Sequence, residues 1–202
     1  MNGVPADPTY AEVLRQAIAE WLPQHPPPLL VALDGRRGTG KSLLAREMGA
    51  LTGAAVIDGD DFYAGGSDTY WDAMSAADKV ARVIDWRRQR LVLEALRQGR
   101  AATWRPYDWE ADDGSPAGHE LTCPSRAVVI LDGAYSARPE LADLLSLRVL
   151  LQVDRSVRRE RLLQREGEHY RAQWEARWLV AEDLYFETIM PPAAFDLVLG
   201  SA

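Results

Sequence analysis

The sequence predicts an α/β fold in which one parallel β-sheet carries helices on both faces. Short apolar runs alternate along the chain with longer segments of helical periodicity, the order expected when helices connect parallel strands. The runs are almost continuously apolar, as in strands buried on both faces. At 202 residues and 47% hydrophobic content, the chain can bury one sizeable core, so we expect a single domain over residues 1–202.

Five apolar runs are the predicted strands of this sheet. They fall at residues 29–34, 54–58, 126–132, 147–153 and 195–199. Helical segments follow the first strand and fill residues 79–98 and 168–189, the latter as one long helix or a broken pair. Residues 64–78 are predicted as a loop and residues 101–109 as a strand or hairpin arm. Periodicity does not give the order of the strands in the sheet.

The N-terminal region, residues 1–28, combines a helix over residues 9–22 with a proline-rich connector. Apolar residues recur at helical intervals and form one stripe. The polar face, with Glu12, Arg15 and Glu20, lacks the basic enrichment of membrane-surface helices. We therefore expect this helix to pack on the domain.

A glycine-rich segment between the first strand and the next helix fits the pattern G-x-x-x-x-G-K-[ST]. Its residues are Gly35, Arg36, Arg37, Gly38, Thr39, Gly40, Lys41 and Ser42. Backbone N–H groups and the positive end of the following helix can face phosphates here. The lysine can reach the β- and γ-phosphates and the serine hydroxyl can ligate Mg²⁺. A glycine-rich turn that binds nothing is the alternative, but it needs neither the lysine nor the hydroxyl.

Carboxylates follow two of the predicted strands. Asp60 and Asp61 come after the second strand, in a segment expected to be extended, and Asp132 follows the third. The carboxyl ends of parallel strands form one edge, where the phosphate loop also lies. Asp60 is the candidate general base for an acceptor hydroxyl and Asp132 the candidate magnesium support. Helix capping for the first pair and an Asp-Gly turn for Asp132 are the structural alternatives.

Three arginines near the predicted end of the fourth strand share one helical face. Arg158, Arg161 and Arg165 are spaced i, i+3 and i+7, so they project toward a common target. They suit the charge of a transferring phosphoryl group. Because Glu160 and Glu166 lie nearby, a salt-bridged solvent face is the alternative.

Composition limits the partners and the compartment. The net charge of −7 opposes electrostatic binding of nucleic acid, which needs a basic surface. The only cysteine, Cys123, cannot form an intrachain disulfide, and no apolar run approaches the ~20 residues that span a bilayer. We expect a cytoplasmic protein without membrane attachment.

Taken in order, these motifs resemble those of the uridine kinase-like group of small-molecule kinases, which includes phosphoribulokinase, pantothenate kinase and nicotinamide riboside kinase. The resemblance runs from about residue 29 to the end of the chain. Its carriers are G-R-R-G-T-G-K-S at 35–42, D-D-F-Y at 60–63, Y-D-W at 107–109, L-D-G at 131–133 and the arginines at 158–165. Only the first motif is specific by itself.

The resemblance implies a P-loop kinase fold, with a five-stranded sheet of order 2-3-1-4-5, a lid at about residues 155–170, and ATP- and Mg²⁺-dependent phosphorylation of a hydroxyl. It implies catalytic roles for Asp60, Lys41 and Arg161 and nucleotide binding by the phosphate loop with Arg158 and Arg165. It places the metal at Ser42 and Asp132, and the small-molecule acceptor at Asp61, Tyr63, Asp85, Tyr107 and Trp109, with Asp72 and Asp78 as alternatives to Asp85.

Three functions remain open at this point. A kinase for a nucleoside or another hydroxylated metabolite is favoured by the acids that precede the acceptor motifs. A nucleotide kinase would give Arg87, Arg88 and Arg105 a phosphate to bind. A regulatory module that only binds or hydrolyses ATP is the third.

Overall fold

The computed structural model describes residues 9–111 and 114–200, with the backbone alone described at 166 and 169–174. A five-stranded sheet comprises β1 (Leu29–Asp34), β2 (Ala55–Asp58), β5 (Val128–Asp132), β6 (Leu147–Leu151) and β7 (Leu197–Leu199). Its strands are parallel and lie in the order β2-β5-β1-β6-β7. Without the separate hairpin of β3 (Ala102–Trp104) and β4 (Leu121–Cys123), this is the expected order 2-3-1-4-5.

Seven α-helices occur in the described ranges. They are α1 (Tyr10–Trp21), α2 (Lys41–Thr52), α3 (Asp68–Asp72), α4 (Ala76–Arg82), α5 (Trp86–Arg97), α6 (Arg155–Glu166) and α7 (Glu168–Leu184). Short 3₁₀ turns lie at Leu22–Gln24, Gly59–Phe62, Pro139–Leu141 and Pro192–Ala194, and a π-helical turn at Tyr185–Ile189 follows α7.

The central strand β1 explains why helices cover both faces of the sheet. All six of its residues are buried. Leu30 and Ala32 belong to one hydrophobic cluster, whereas Leu29, Val31 and Leu33 belong to the other, because successive strand side chains point to opposite faces. The first cluster includes residues of α4, α5 and α7, and the second includes residues of α1 and α2.

The N-terminal helix α1 packs on the domain, as expected. Thr9 caps it through a reciprocal pair of hydrogen bonds with Glu12, which satisfies two exposed N–H groups. Leu14 and Ile18 are buried in the second cluster. Among the described residues, no helix has both the length and the apolar character needed to cross a bilayer.

The helical boundaries between residues 64 and 98 differ from the prediction. The expected loop contains α3 and the start of α4, and the single expected helix is two, α4 and α5. Ser67, Ser75 and Asp85 each accept backbone N–H bonds at the start of a helix. Such side chains favour N-caps, so they divide the segment into three helices.

Candidate active site

The phosphate loop joins the end of β1 to the start of α2. Gly40 adopts the left-handed conformation with φ of 94°, and its carbonyl accepts the N–H groups of Leu43 and Leu44 in the first turn of α2. Gly38 also has positive φ, and a Cβ there would lie 2.9 Å from the Arg158 carbonyl oxygen. Both positions therefore require glycine, and the helix start leaves N–H groups available for an anion.

The loop leads into the predicted metal residues. The Ser42 hydroxyl donates a hydrogen bond to Asp132, whose carboxyl is 3% exposed and whose Oδ1 has no hydrogen-bond partner. Burial raises the pKa of Asp132 to about 6, against the opposing effects of Lys41 and Ser42. A buried oxygen without a partner is costly, and a hydroxyl beside a carboxylate is a donor set that suits Mg²⁺.

Magnesium held here would need oxygens beyond those of the protein. Within residues 9–111 and 114–200, no cluster of three or more His, Cys, Asp or Glu side chains could hold a metal ion by itself. Mg²⁺ is commonly bound through one or two protein groups together with substrate phosphates. Ser42 and Asp132, beside the phosphate loop, fit that arrangement.

The acids after β2 lie on a 3₁₀ turn over Gly59–Phe62 and not on the extended segment expected. Asp58 caps this turn by accepting the Asp60 N–H at 3.0 Å. The Asp60 side chain lines the main cavity together with Lys41 and Ser42. The Asp61 carboxylate accepts a hydrogen bond from Trp104 Nε1 at 2.9 Å, and burial raises its pKa. The turn thus directs Asp60 toward the phosphate loop and ties Asp61 to the hairpin.

The main cavity, of about 510 Å³, combines the phosphate loop with an aromatic wall. The rings of Tyr63 and Trp109 stack with centroids 5.2 Å apart and planes 16° from parallel. Trp71 and Trp178 make a second aromatic contact in the same wall. Flat aromatic surfaces of this kind bind ring-bearing molecules well.

The predicted acceptor residues are divided between two neighbouring cavities. Tyr63 and Trp109 line the main cavity, whereas Asp85 and Tyr107 line a second one of about 440 Å³, which Tyr63 also borders. Asp61 is not among the lining residues of either. Asp85 accepts the N–H groups of Arg87 and Arg88 as the cap of α5.

The alternatives to Asp85 have other contacts. Both carboxylate oxygens of Asp72 accept hydrogen bonds from Arg177 of α7. Asp78 caps α4 with Ser75 and forms an exposed ion pair with Arg82. Neither aspartate is among the residues that line the two cavities.

The three arginines of α6 have different environments. Arg161 Nη1 donates to the carbonyl oxygens of Thr39 and Gly38, at 3.0 and 3.3 Å. Arg165 lines the main cavity beside it. Arg158 is 8% exposed and donates hydrogen bonds to the carbonyl oxygens of Val153 and Arg37. It therefore stabilises the loop and is not among the residues that line the cavity.

The two arginines of the phosphate loop also diverge. Arg37 lines the main cavity. Arg36 forms ion pairs with Asp183 of α7 and with Glu187, and its guanidinium lies over the ring of Phe186. The side chain of Arg36 therefore joins the loop to the chain that follows α7.

Three residues of the site were not identified from the sequence. Asp34, at the end of β1, is fully buried and accepts hydrogen bonds from the N–H groups of Gly35, Tyr135 and Ala137 and from the Tyr185 hydroxyl. Its place after an apolar run was a usable signal. Glu182 and Arg177 of α7 also line the main cavity, but no sequence pattern distinguishes them.

Comparison with solved structures places this architecture among known folds. A proposed fructose transport system kinase from Silicibacter sp. TM1040 superposes with a TM-score of 0.75 at 21% identity, over 96% of this chain and 100% of that chain. A possible uridine kinase from Bacillus stearothermophilus superposes with a TM-score of 0.68 at 19% identity, over 93% and 100%. The chain has the fold of the uridine kinase-like P-loop kinases.

The same fold extends to a kinase described by a different substrate. D-glycerate 3-kinase from Cryptococcus neoformans var. grubii superposes on 95% of this chain and 93% of its own, with a TM-score of 0.68 and 13% identity. No protein-family model and no curated protein sequence matches the chain. Structures with this fold are therefore named for different phosphate acceptors. Sequence identity this low shows a shared fold alone.

Proposed function

We propose that the protein is an ATP-dependent kinase that phosphorylates a hydroxyl of a small metabolite, with nucleosides as the first candidates. The observation that supports it best is that Lys41, Ser42 and Asp60 line the same cavity as an aromatic wall. Phosphoryl transfer needs a phosphate site and an acceptor site placed together. The solved structures that share the fold are named as kinases, which supports the same proposal.

In the proposed mechanism, the loop residues 35–42 bind the phosphates through backbone N–H groups and Lys41 neutralises charge on the β- and γ-phosphates. Ser42 and Asp132 would hold Mg²⁺, which supplies further neutralisation of phosphate charge when bound. Arg161 and Arg165 stabilise the charge that develops on the transferring group. Asp60 accepts the proton of the attacking hydroxyl.

The acceptor would enter from the aromatic side of the cavity. Stacking between Tyr63 and Trp109 orders a flat apolar surface against which a sugar or base ring could lie. Tyr107 and Asp85 extend the acceptor region into the second cavity. In this proposal Asp61 does not contact the acceptor directly. It holds the hairpin in place beside the acceptor region through its hydrogen bond from Trp104 Nε1.

A nucleotide kinase is the second candidate. Arg88 and Arg105 line the second cavity beside Tyr63 and could bind a phosphate of the acceptor. Arg87 supports it less, because its guanidinium lies over the ring of Trp86 and is not in that lining.

We further propose that residues 1–202 act as one domain with a lid at about 155–170; residues 1–8 and 201–202 lie outside the described residues.

The acidic net charge of −7 argues against nucleic acid as a partner. ATP consumption and the lone Cys123 support a reducing cytoplasm as the location.

A coupled ADP-release assay tests these candidates. The panel should contain nucleosides, nucleoside monophosphates and sugars, each with MgATP, with the Lys41→Ala variant as the matched control. We expect ADP release to rise with at least one small hydroxylated compound and to vanish in the control. Stimulation by monophosphates alone would select the nucleotide kinase, and slow acceptor-independent hydrolysis across the panel would select the regulatory module.

A further inference from the structure

A buried carboxylate in the main cavity has no role in the mechanism given above. Glu182, in the last turn of α7, is 2% exposed and lines the cavity that contains Lys41 and Asp60. Burial raises the pKa of Glu182. Because a buried carboxylate costs stability unless it is well bonded, its contacts show what it contributes.

Glu182 holds one peptide of the phosphate loop. Its Oε1 accepts the backbone N–H of Arg37 at 2.9 Å, whereas its Oε2 has no hydrogen-bond partner. The backbone carbonyl oxygen of Arg37 accepts a hydrogen bond from Arg158 Nη1 at 3.4 Å. Both backbone polar groups of Arg37 are therefore fixed by side chains from α6 and α7.

The two contacts hold the two peptides on either side of the Arg37 Cα, and each contact sets the direction of the other polar group of its peptide. In a planar trans peptide, the carbonyl of one residue and the N–H of the following residue point in opposite directions. Glu182 holds the Arg37 N–H, so the Arg36 carbonyl of that peptide points the other way, where it accepts the Thr39 N–H at 3.4 Å. Arg158 holds the Arg37 carbonyl of the next peptide, so the Gly38 N–H points away from Arg158. Arg161 holds the carbonyls of Gly38 and Thr39 similarly, so side chains outside the loop orient successive N–H groups.

Neighbours of Glu182 bind adjacent parts of the same segment. Asp183 pairs with the Arg36 guanidinium at 2.5 Å. The Tyr185 hydroxyl donates to Asp34, the residue before the loop, at 2.9 Å. The last turn of α7 and the π-helical turn that follows it are thus joined to residues 34, 36 and 37. Among these three contacts, only the one from Glu182 is made to a loop backbone group.

We propose that Glu182 is a positioning residue, whose carboxylate oxygen fixes the peptide between Arg36 and Arg37 and so holds the loop in the conformation in which its N–H groups bind the phosphates of ATP. The inference rests on the proposed function in that ATP is the ligand. It assigns the effect to hydrogen-bond geometry and not to the negative charge, since Oε1 makes the contact and a charge near bound phosphates would oppose them.

Two substitutions separate geometry from charge. Glu182→Gln keeps an oxygen that can accept the Arg37 N–H but removes the charge. Glu182→Asp keeps the charge but shortens the side chain by one methylene, which withdraws the oxygen from Arg37. Glu187→Gln is the matched control, because Glu187 contacts the Arg36 side chain at 3.4 Å and is largely exposed.

The readout is the dissociation constant for MgATP of the full chain, measured by isothermal titration calorimetry with thermal unfolding in parallel. We expect Glu182→Asp to bind MgATP about tenfold more weakly, as for loss of one hydrogen bond to a charged group. Glu182→Gln and Glu187→Gln should stay within about twofold of the parent, since both keep the Arg37 contact.

Each other outcome overturns the inference. Parent-like binding by Glu182→Asp would show that the contact does not matter, and equal weakening in Glu182→Gln would assign the effect to charge. If Glu182→Asp does not fold, Glu182→Gln decides, with parent-like binding in support and weakened binding against. A parent that binds no MgATP would refute the proposed function itself, a result distinct from a variant that fails beside a binding parent.

Discussion

The two halves of the main cavity are built in different ways. The half proposed to bind phosphate is one contiguous segment, residues 35–42, and the ligands proposed for it are largely backbone N–H groups. The half proposed to bind the acceptor is assembled from side chains that are distant in the sequence, including Asp60, Tyr63, Trp71, Trp109 and Trp178. The first half depends on local conformation and the second on how α3, α7 and the hairpin pack.

This difference indicates which half can change without loss of the fold. A contiguous backbone site keeps its chemistry wherever the strand-loop-helix unit is preserved. A site made of dispersed side chains can accept another molecule after a few substitutions. We therefore expect variants of the phosphate half to abolish transfer and variants of the acceptor wall to alter substrate binding.

The largest effect is expected at the meeting point of the two halves. Asp60→Asn keeps the shape of the side chain but cannot take a proton, so kcat should fall by roughly 10² to 10⁴ while MgATP affinity and the unfolding temperature stay unchanged. Turnover in the coupled ADP-release assay measures the loss.

Asp61→Asn is the matched control for that prediction. Its side-chain oxygen can still accept the bond from Trp104 Nε1, so we expect a milder effect. If Asp61→Asn shows the larger loss of turnover, the base has been assigned to the wrong residue. Full activity in both variants would show that these two acids have structural roles.

The next effect concerns the phosphate half alone. Lys41→Ala removes the cation proposed to neutralise the β- and γ-phosphates, so kcat should fall by about 10²- to 10³-fold. The unfolding temperature should not change, because the substitution leaves no cavity in the core. Arg100→Ala, at an exposed cation that lines neither cavity, is the control, and near-normal turnover of Lys41→Ala would refute the phosphate-loop assignment.

A smaller effect is expected where α6 meets the loop. Arg161→Ala should lower kcat by about tenfold or more with less change in the KM for ATP, because this contact is strongest in the transition state. Arg159→Ala is the control on the same helix, since Arg159 forms an exposed pair with Glu175. Equal kinetics for both variants would favour the solvent-face alternative.

The smallest effect should be confined to the acceptor half. Trp109 is 57% exposed and stacks on Tyr63. With the acceptor found in the panel, Trp109→Ala should raise the acceptor KM by up to about tenfold, the worth of one aromatic contact, and leave the KM for ATP unchanged. A parallel rise in both constants would break the distinction between the halves.

Much of the fold could be predicted because its signals are local. Apolar runs predicted the strands of the sheet, and the loop motif predicted a glycine-dependent turn into a helix at Lys41, where α2 begins. The strand order needed the resemblance to known kinases, because a parallel ladder forms between segments that are remote in the sequence. The division of residues 64–98 into three helices was missed, although Ser67, Ser75 and Asp85 carried the capping signal.

The sequence by itself determined the α/β class, the glycine-rich loop between β1 and α2 and the acids that follow the strands, because strand burial, glycine conformation and helix capping act over a few residues. Only the tertiary structure decided that Asp61 is tied to Trp104, that Asp85 caps α5 and that Glu182 holds Arg37. The last contact joins residues 145 positions apart. A charged side chain on a helix has no periodic signature for its partner, so packing alone determines whether it faces solvent or holds the backbone of a distant loop.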